Sequence, residues 1–209
     1  NIQGDVSIIS DAPAAMAQLI PMGFVESWLP PDLAANIPTE YQDPLTVVTS
    51  ANVWAYNTEL FDKCPVNNIW QLTGPEWKGK VAMQDPLGKP SYVDWFNQMA
   101  AHGDGEVKAA YKALYGKELE TAEASATAAW VKALAANAPL LTDADAAAAE
   151  AVGTPGQKEP FMGLISSAKF RDNADKGMKL GLCKELKPWI GWLYPGVGLI
   201  TKGTNSPNA

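Results

Sequence analysis

Few side chains in this sequence could do covalent chemistry. His102, in MAAHGDG, is the only histidine. It sits where a helix should end before Gly103, and no Ser, Cys or carboxylate orients it in sequence, so a surface or helix-terminus charge suits it better than catalysis. The two cysteines, Cys64 in FDKCPVN and Cys183 in GLCKELK, lack a second Cys or a His at metal-ligand spacing. They admit two buried thiols or a single disulfide of an oxidising compartment, with a nucleophilic thiol as the sharper alternative. There is no GxGxxG and no phosphate loop with GK[ST]. What remains is non-covalent. Three helix starts follow strand patterns, at Asp11, at Ser91 and at Thr142-Asp143, and free N–H groups at such starts hold anionic or polar ligands. In open α/β sheets, ligands lie beyond the carboxyl ends of the strands. Any one of these residues could equally be a simple cap; their recurrence favours a ligand.

The elements that would position them follow from patterning. DVSIIS reads as a buried parallel strand and APAAMAQLI as a helix with Pro13 in its first turn. LTVVT and NVWAYN read as two extended runs with TSAN as a bend between them. KVAM is another strand. SYVDWFNQMA is a helix starting at Ser91, with Asp94 completing a variant capping box and Val93, Phe96 and Met99 or their neighbours buried. GEVKAAYKALYG and the Ala-rich ETAEASATAAWVKALAAN continue the helical middle. TDADAAAAEAVG is a short helix capped by Thr142 or Asp143 and stopped at Gly153. FMGLIS, MKLGLC and VGLIT close the chain as strands. The class is α/β with a largely parallel sheet.

Composition excludes several partners. The 209 residues are 47% hydrophobic and carry a net charge of −7, with the 16 Lys and Arg scattered. That is an ordinary globular composition, without the basic face nucleic acid needs. No apolar run approaches the ~20 residues of a spanning helix.

The order DVSIISDAPAAMAQLIPMGFVESWLP, ANVWAYNTELF, IWQLTGPEWKGKVAMQDP and GLITKGTNSPNA resembles extracytoplasmic solute-binding proteins of ABC importers. The resemblance is to the group with iron(III)-, polyamine- and sugar-phosphate-binding members. NIWQLTGPEWKGKVAMQDP carries it most specifically, through the pattern W-x-x-L-x-x-P-x-W-K-G-K; it is weakest between about 115 and 180. The resemblance implies a type II periplasmic-binding-protein fold, two α/β lobes joined by hinge strands, with a ligand closing the cleft by hinge motion. It implies a partial first lobe over 1–50, a second lobe over 51–193 with hinge strands near 46–58, and a return strand and C-terminal segment over 194–209. Members have an export signal and a further strand–helix unit before the DV strand, and a helix after a phrase such as NSPNA; a chain truncated at both ends is therefore expected.

Residue by residue, the resemblance places Asp11, Gly88, Ser91, Tyr92, Thr142 and Asp143 at ligand-facing positions. Ser166 and Ser167 fall where iron-binding members carry adjacent tyrosines, which argues against ferric iron because the phenolate ligands are missing. Trp192 and Tyr194 could stack on a sugar or organic cation, or belong to the core. The expectation is a monomeric periplasmic or otherwise extracytoplasmic receptor, not an enzyme and without cofactor, metal or nucleic acid. It would pass a small polar or anionic solute to a membrane permease. The rivals are an enzyme on the same fold with a Cys nucleophile and the effector-binding domain of a transcription regulator.

Overall fold

The computed structural model describes residues 4–206. In chain order the elements are β1 (Val6–Ile9), α1 (Ala12–Ala14, continued by a π-turn over Ala15–Leu19), β2 (Val25–Ser27), β3 (Thr46–Asn57) and β4 (Val81–Gln84). Next come α2 (Pro90–His102), α3 (Asp104–Tyr115), α4 (Ala126–Ala136), β5 (Leu140–Thr142) and α5 (Asp145–Gly153). The chain finishes with β6 (Met162–Ser166), α6 (Asp172–Asp175), β7 (Leu180–Leu182) and β8 (Gly191–Thr201). The last three residues of the NSPNA turn lie outside the described residues. Two compact units result, one from residues 1–50 with 193–209, the other from 51–192.

In the first unit, β1 and β2 each pair antiparallel with β8, Val6 opposite Ile200 and Val25 opposite Thr201. Its buried cluster is small: Ala12, Ala15, Val25, Val197 and Leu199. The buried parallel strand read from DVSIIS is therefore corrected. β1 is antiparallel, and Val6 and Ile8 are 53% and 68% exposed. A run of Val and Ile reports β-propensity without saying which face is covered.

The second unit is a mixed sheet in the order β7–β3–β6–β4–β5. β4 runs parallel to β5 and β6, while β3 runs antiparallel to β6 and β7, so the largely parallel reading holds only for the β6–β4–β5 half. Strand alternation sorts the residues onto two faces. Trp54, Met83 and Leu164 join the aromatic cluster under α2, α3 and α4, with Trp70, Trp95 and Trp130. Their neighbours Ala55, Ala82 and Ile165 face α5, where Ala148, Ala149 and Val152 complete the core. The small residues on that face let α5 approach closely. A Cβ on Gly163 would come 2.4 Å from Val152 Cγ2, and one on Gly153 would come 2.7 Å from Leu180 Cδ2. Gly153, the last residue of α5, is thus held to glycine by close packing.

Two further readings change. LTVVT and NVWAYN form one unbroken strand of 12 residues. Ser50, Ala51 and Asn52 contain neither Gly nor Pro, so nothing forces a bend there. Helix α2 begins at Pro90 with Lys89 at its N-cap and no side-chain capping bond, in place of a box built on Ser91. Its buried residues are Tyr92, Trp95 and Met99, and Val93 is exposed.

The segment LTGPEWKGK is scaffold. Asn68 and Gln71 form a capping box at the short 3-10 helix Ile69–Thr73. The Asn137 amide donates to the carbonyls of Leu72 and Gly74, each at 2.9 Å. The Trp70 and Trp130 indoles donate to Val107 and Ile69. Cys64 and Cys183 are joined as a disulfide, S–S 2.07 Å, across 119 residues.

Candidate functional site

The parallel strands β4, β5 and β6 end side by side, Gln84 level with Thr142 and Met83 level with Leu164. Their carboxyl ends lead into three polar connections, which backbone and side-chain hydrogen bonds tie together. The Asp85 N–H donates to the Thr142 carbonyl at 3.0 Å. The Thr142 hydroxyl lies 3.0 Å from the Ala144 carbonyl and 3.3 Å from that of Met83, donating to one at a time. Asp145 opens α5, and its Oδ1 accepts the Ser166 N–H at 2.9 Å. Its other oxygen lies 4.0 Å from Lys169 Nζ, with both side chains largely covered. Ser166 in turn caps the 3-10 turn Ser167–Arg171 by accepting from the Ala168 N–H at 3.3 Å. Gly88 sits in the exposed turn after β4, donating to the Asp85 carbonyl at 3.0 Å.

Two buried donors beside this edge are uncommitted. The Asn52 amide nitrogen and the Ser91 hydroxyl are buried and have no hydrogen-bond partner among the described residues. Asn52 is 3% exposed and stands opposite Ser166 in the β3–β6 ladder. A chain of contacts leads from it to Ser91. A Cβ on Gly191 would meet the Asn52 carbonyl at 1.9 Å; the adjacent Trp192 meets the Tyr92 ring at 5.0 Å, edge to face. Ser91 precedes Tyr92 on a 13-residue helix whose start lacks a side-chain cap. Buried polar groups in folded proteins are nearly always paired, so these two leave capacity for a ligand or solvent, as do the Trp54 indole and the Thr127 and Thr201 hydroxyls.

The residues expected from sequence divide three ways. Gly88, Ser91, Thr142, Asp143, Ser166 and Ser167 lie on the loops and element ends at this edge. Asp143 is exposed, and α5 starts two residues after it with Ala144 at the N-cap, so neither Thr142 nor Asp143 caps it. Asp11 and Tyr194 belong to the first unit. There Asp11 caps α1 by accepting the Ala14 N–H at 3.0 Å, and Tyr194 is half-buried. Tyr92 and Trp192 pack into the aromatic cluster of the second unit. Tyr92 is fully buried and its hydroxyl donates to the Leu164 carbonyl at 3.0 Å, which makes it part of the packed core. Trp192 stacks face to face on Trp95, 4.3 Å between centroids and 10° between planes, so one face of its ring is already covered.

Sequence reasoning passed over Asn52, Asp145 and Lys169. Asn52 had a signal, a lone amide inside an otherwise apolar strand. Asp145 was hidden among three acceptors in TDAD, only one of which could be level with β6. Both cysteines are consumed by the disulfide, so neither supplies the thiolate that a Cys-nucleophile enzyme needs. Among the described residues no three His, Cys, Asp or Glu side chains gather as a metal site, and no helix is long and apolar enough to cross a membrane.

Comparison with solved structures gives the fold a context. Iron-bound HitA from Pseudomonas aeruginosa superposes with a TM-score of 0.66 at 19% identity, covering 98% of this chain and 61% of that one. The ferric binding protein from Campylobacter jejuni gives 0.67 at 17% identity, with 100% and 63% covered. The periplasmic binding protein AfuA from Actinobacillus pleuropneumoniae, solved with fructose-6-phosphate, gives 0.60 at 20%, with 100% and 61% covered. At these identities the likeness is one of fold. The chain spans about three-fifths of the length of these structures. No curated protein sequence matches. All of residues 1–209 match the family described as bacterial extracellular solute-binding protein, and the chain belongs to that family.

Proposed function

We propose that this chain is the substrate-binding component of an ABC importer, working outside the cytoplasm, in the periplasm where there is one. It captures a small polar or anionic solute and delivers it to a membrane permease. The observation that carries the reading is the meeting of three strand ends at one polar edge of the second unit, with the Asn52 amide and Ser91 hydroxyl buried there and unspent. Both groups can donate to a solute oxygen, and the uncapped start of α2 adds the positive end of a helix dipole. The work proposed for this edge is binding, in keeping with the solute-binding family the chain belongs to. Ser166 and Ser167 offer hydroxyls where a ferric site would want phenolates, so the solute is organic or a simple oxyanion.

A thermal-shift screen against sugars, sugar phosphates, amino acids, polyamines and ferric citrate tests this. A solute at 100 times its dissociation constant stabilises by about 2.7 kcal/mol. In a protein of this size that raises the midpoint by roughly 5–10 °C. Asn52→Ala should abolish most of the shift. A screen in which no class moves the midpoint, or a shift that Asn52→Ala leaves intact, counts against the site.

A further inference from the structure

The disulfide of the second unit lines a feature that solute capture does not use. Beside Cys64 lies an open cavity of about 470 Å³, bordered by Lys63, Asn67, Gln71 and Lys184. A second cavity of about 670 Å³ shares Asn67, Lys184 and Glu185 with the first and adds Lys187. The two form one groove with three ammonium groups around it and a single carboxylate, Glu185, in a chain whose net charge is −7. Among the described residues, none of these three lysines is in an ion pair.

The frame beneath the lysines is fixed. Lys63 and Lys184 each adjoin a half-cystine. Lys187 is bound on both sides of its backbone, its N–H donating to the Asn67 carbonyl and its carbonyl accepting from the Ile69 N–H, each at 2.8 Å. Gln71 Oε1 accepts the N–H groups of Asn67 and Asn68 at 2.8 and 3.0 Å, which points its carbonyl end into the loop and leaves its NH₂ to the groove. Pro65, Val66 and Leu182 give the first cavity an apolar side. Three unneutralised cations rooted on a cross-linked frame suit a ligand with several negative oxygens, because the backbone beneath them need not rearrange and only the lysine side chains are ordered on binding. The strand-end site lies at the other end of the sheet. β3 reaches that site at Asn52 and this groove at Tyr56.

We propose that this groove is a second binding site, for phosphate-bearing anions. Inorganic pyrophosphate is the soluble probe, and vesicles of phosphatidylglycerol test whether a lipid phosphodiester is the source. At 10 mM ionic strength, where the Debye length is about 30 Å, calorimetric titration should give saturable binding of pyrophosphate that weakens at 150 mM salt. Lys63→Ala/Lys184→Ala/Lys187→Ala should weaken it at least tenfold, and Lys184→Ala alone severalfold, because that residue borders both cavities. The lysines are exposed and unpaired, so both variants should keep the wild-type melting midpoint. Co-sedimentation with phosphatidylglycerol but not phosphatidylcholine vesicles, lost in the triple variant, would assign the anion to a membrane headgroup. Pyrophosphate binding without co-sedimentation would assign it to a soluble compound. Wild-type protein that binds neither probe, or variants that bind both as well as wild type, would overturn the proposal. Thermal shifts by the solute of the strand-end site should be the same in the triple lysine variant as in wild type, so this site and the strand-end site fail separately.

Discussion

Neighbouring residues 91 and 92 illustrate how little separates an unpaired buried hydroxyl from a committed one. Tyr92 has its hydroxyl on the Leu164 carbonyl and its ring against Trp192, while the Ser91 hydroxyl is buried with no partner. The two should respond oppositely to deletion. Tyr92→Phe removes a buried hydrogen bond to the Leu164 carbonyl and should cost about 0.5–1.5 kcal/mol. Ser91→Ala removes an unpaired buried hydroxyl and should be neutral or stabilising by up to about 1 kcal/mol. Chemical denaturation of both variants checks this, and a strongly destabilised Ser91→Ala would mean that the hydroxyl is structurally engaged. The helix itself was legible in SYVDWFNQMA, and so was its role after a strand. Its rotation was not. Each residue turns the face by about 100°, and Val93, Phe96 and Met99 compete with Tyr92, Trp95 and Met99 for the same stripe, so only the sheet it packs on decides.

At the scale of elements, caps and close approaches set the geometry. Asp104 opens α3 and also accepts the Thr127 and Ala126 N–H groups at 2.8 and 3.1 Å, holding the start of α4. Burial raises its pKa, but the hydrogen bonds it accepts at the start of α4, those two N–H groups foremost, outweigh burial and hold the carboxyl below its ordinary value. A depressed carboxylate pKa stabilises the fold above the unfolded value, near 3.9, and that contribution is lost as pH falls through the folded value. Asp104→Ala should therefore cost about 1–2 kcal/mol at pH 7. The difference from wild type should shrink in urea titrations below about pH 4; a difference that is constant with pH would assign the loss to packing. Helix–strand order, most element positions and the family pattern in TGPEWKGK could be read from sequence. The unbroken β3 could not, because Ser50 to Asn52 are equally at home in a bend or a strand, and it took the ladder to Ser166 to settle it. Strand direction was equally silent, since Val and Ile pair well either way.

For the molecule as a whole, stability is unevenly shared. The second unit has two clusters built around tryptophans and close-packed alanines, while the first has five small or medium buried side chains and exposes Val6, Ile8, Met22 and Val47. Hydrogen exchange should therefore be faster across β1 and β2 than across β4 and β6, because few buried apolar contacts mean cheap local opening. Equal protection in both units would contradict that distribution of packing. The disulfide adds to the contrast. Closing a loop of 119 residues is worth about 5 kcal/mol on the chain-entropy account. Reduction, or Cys64→Ser with Cys183→Ser, should lower the melting midpoint by roughly 10–20 °C.

That same cross-link has a topological meaning. Every strand and helix from β4 to β7, and with them the loops after β4, β5 and β6, lies on the covalent ring closed between Cys64 and Cys183. One proteolytic cut anywhere on the ring opens it without releasing a piece, and the nicked chain still runs as one body until a reductant is added. In an oxidising compartment a single protease cut there cannot shed the strand-end edge.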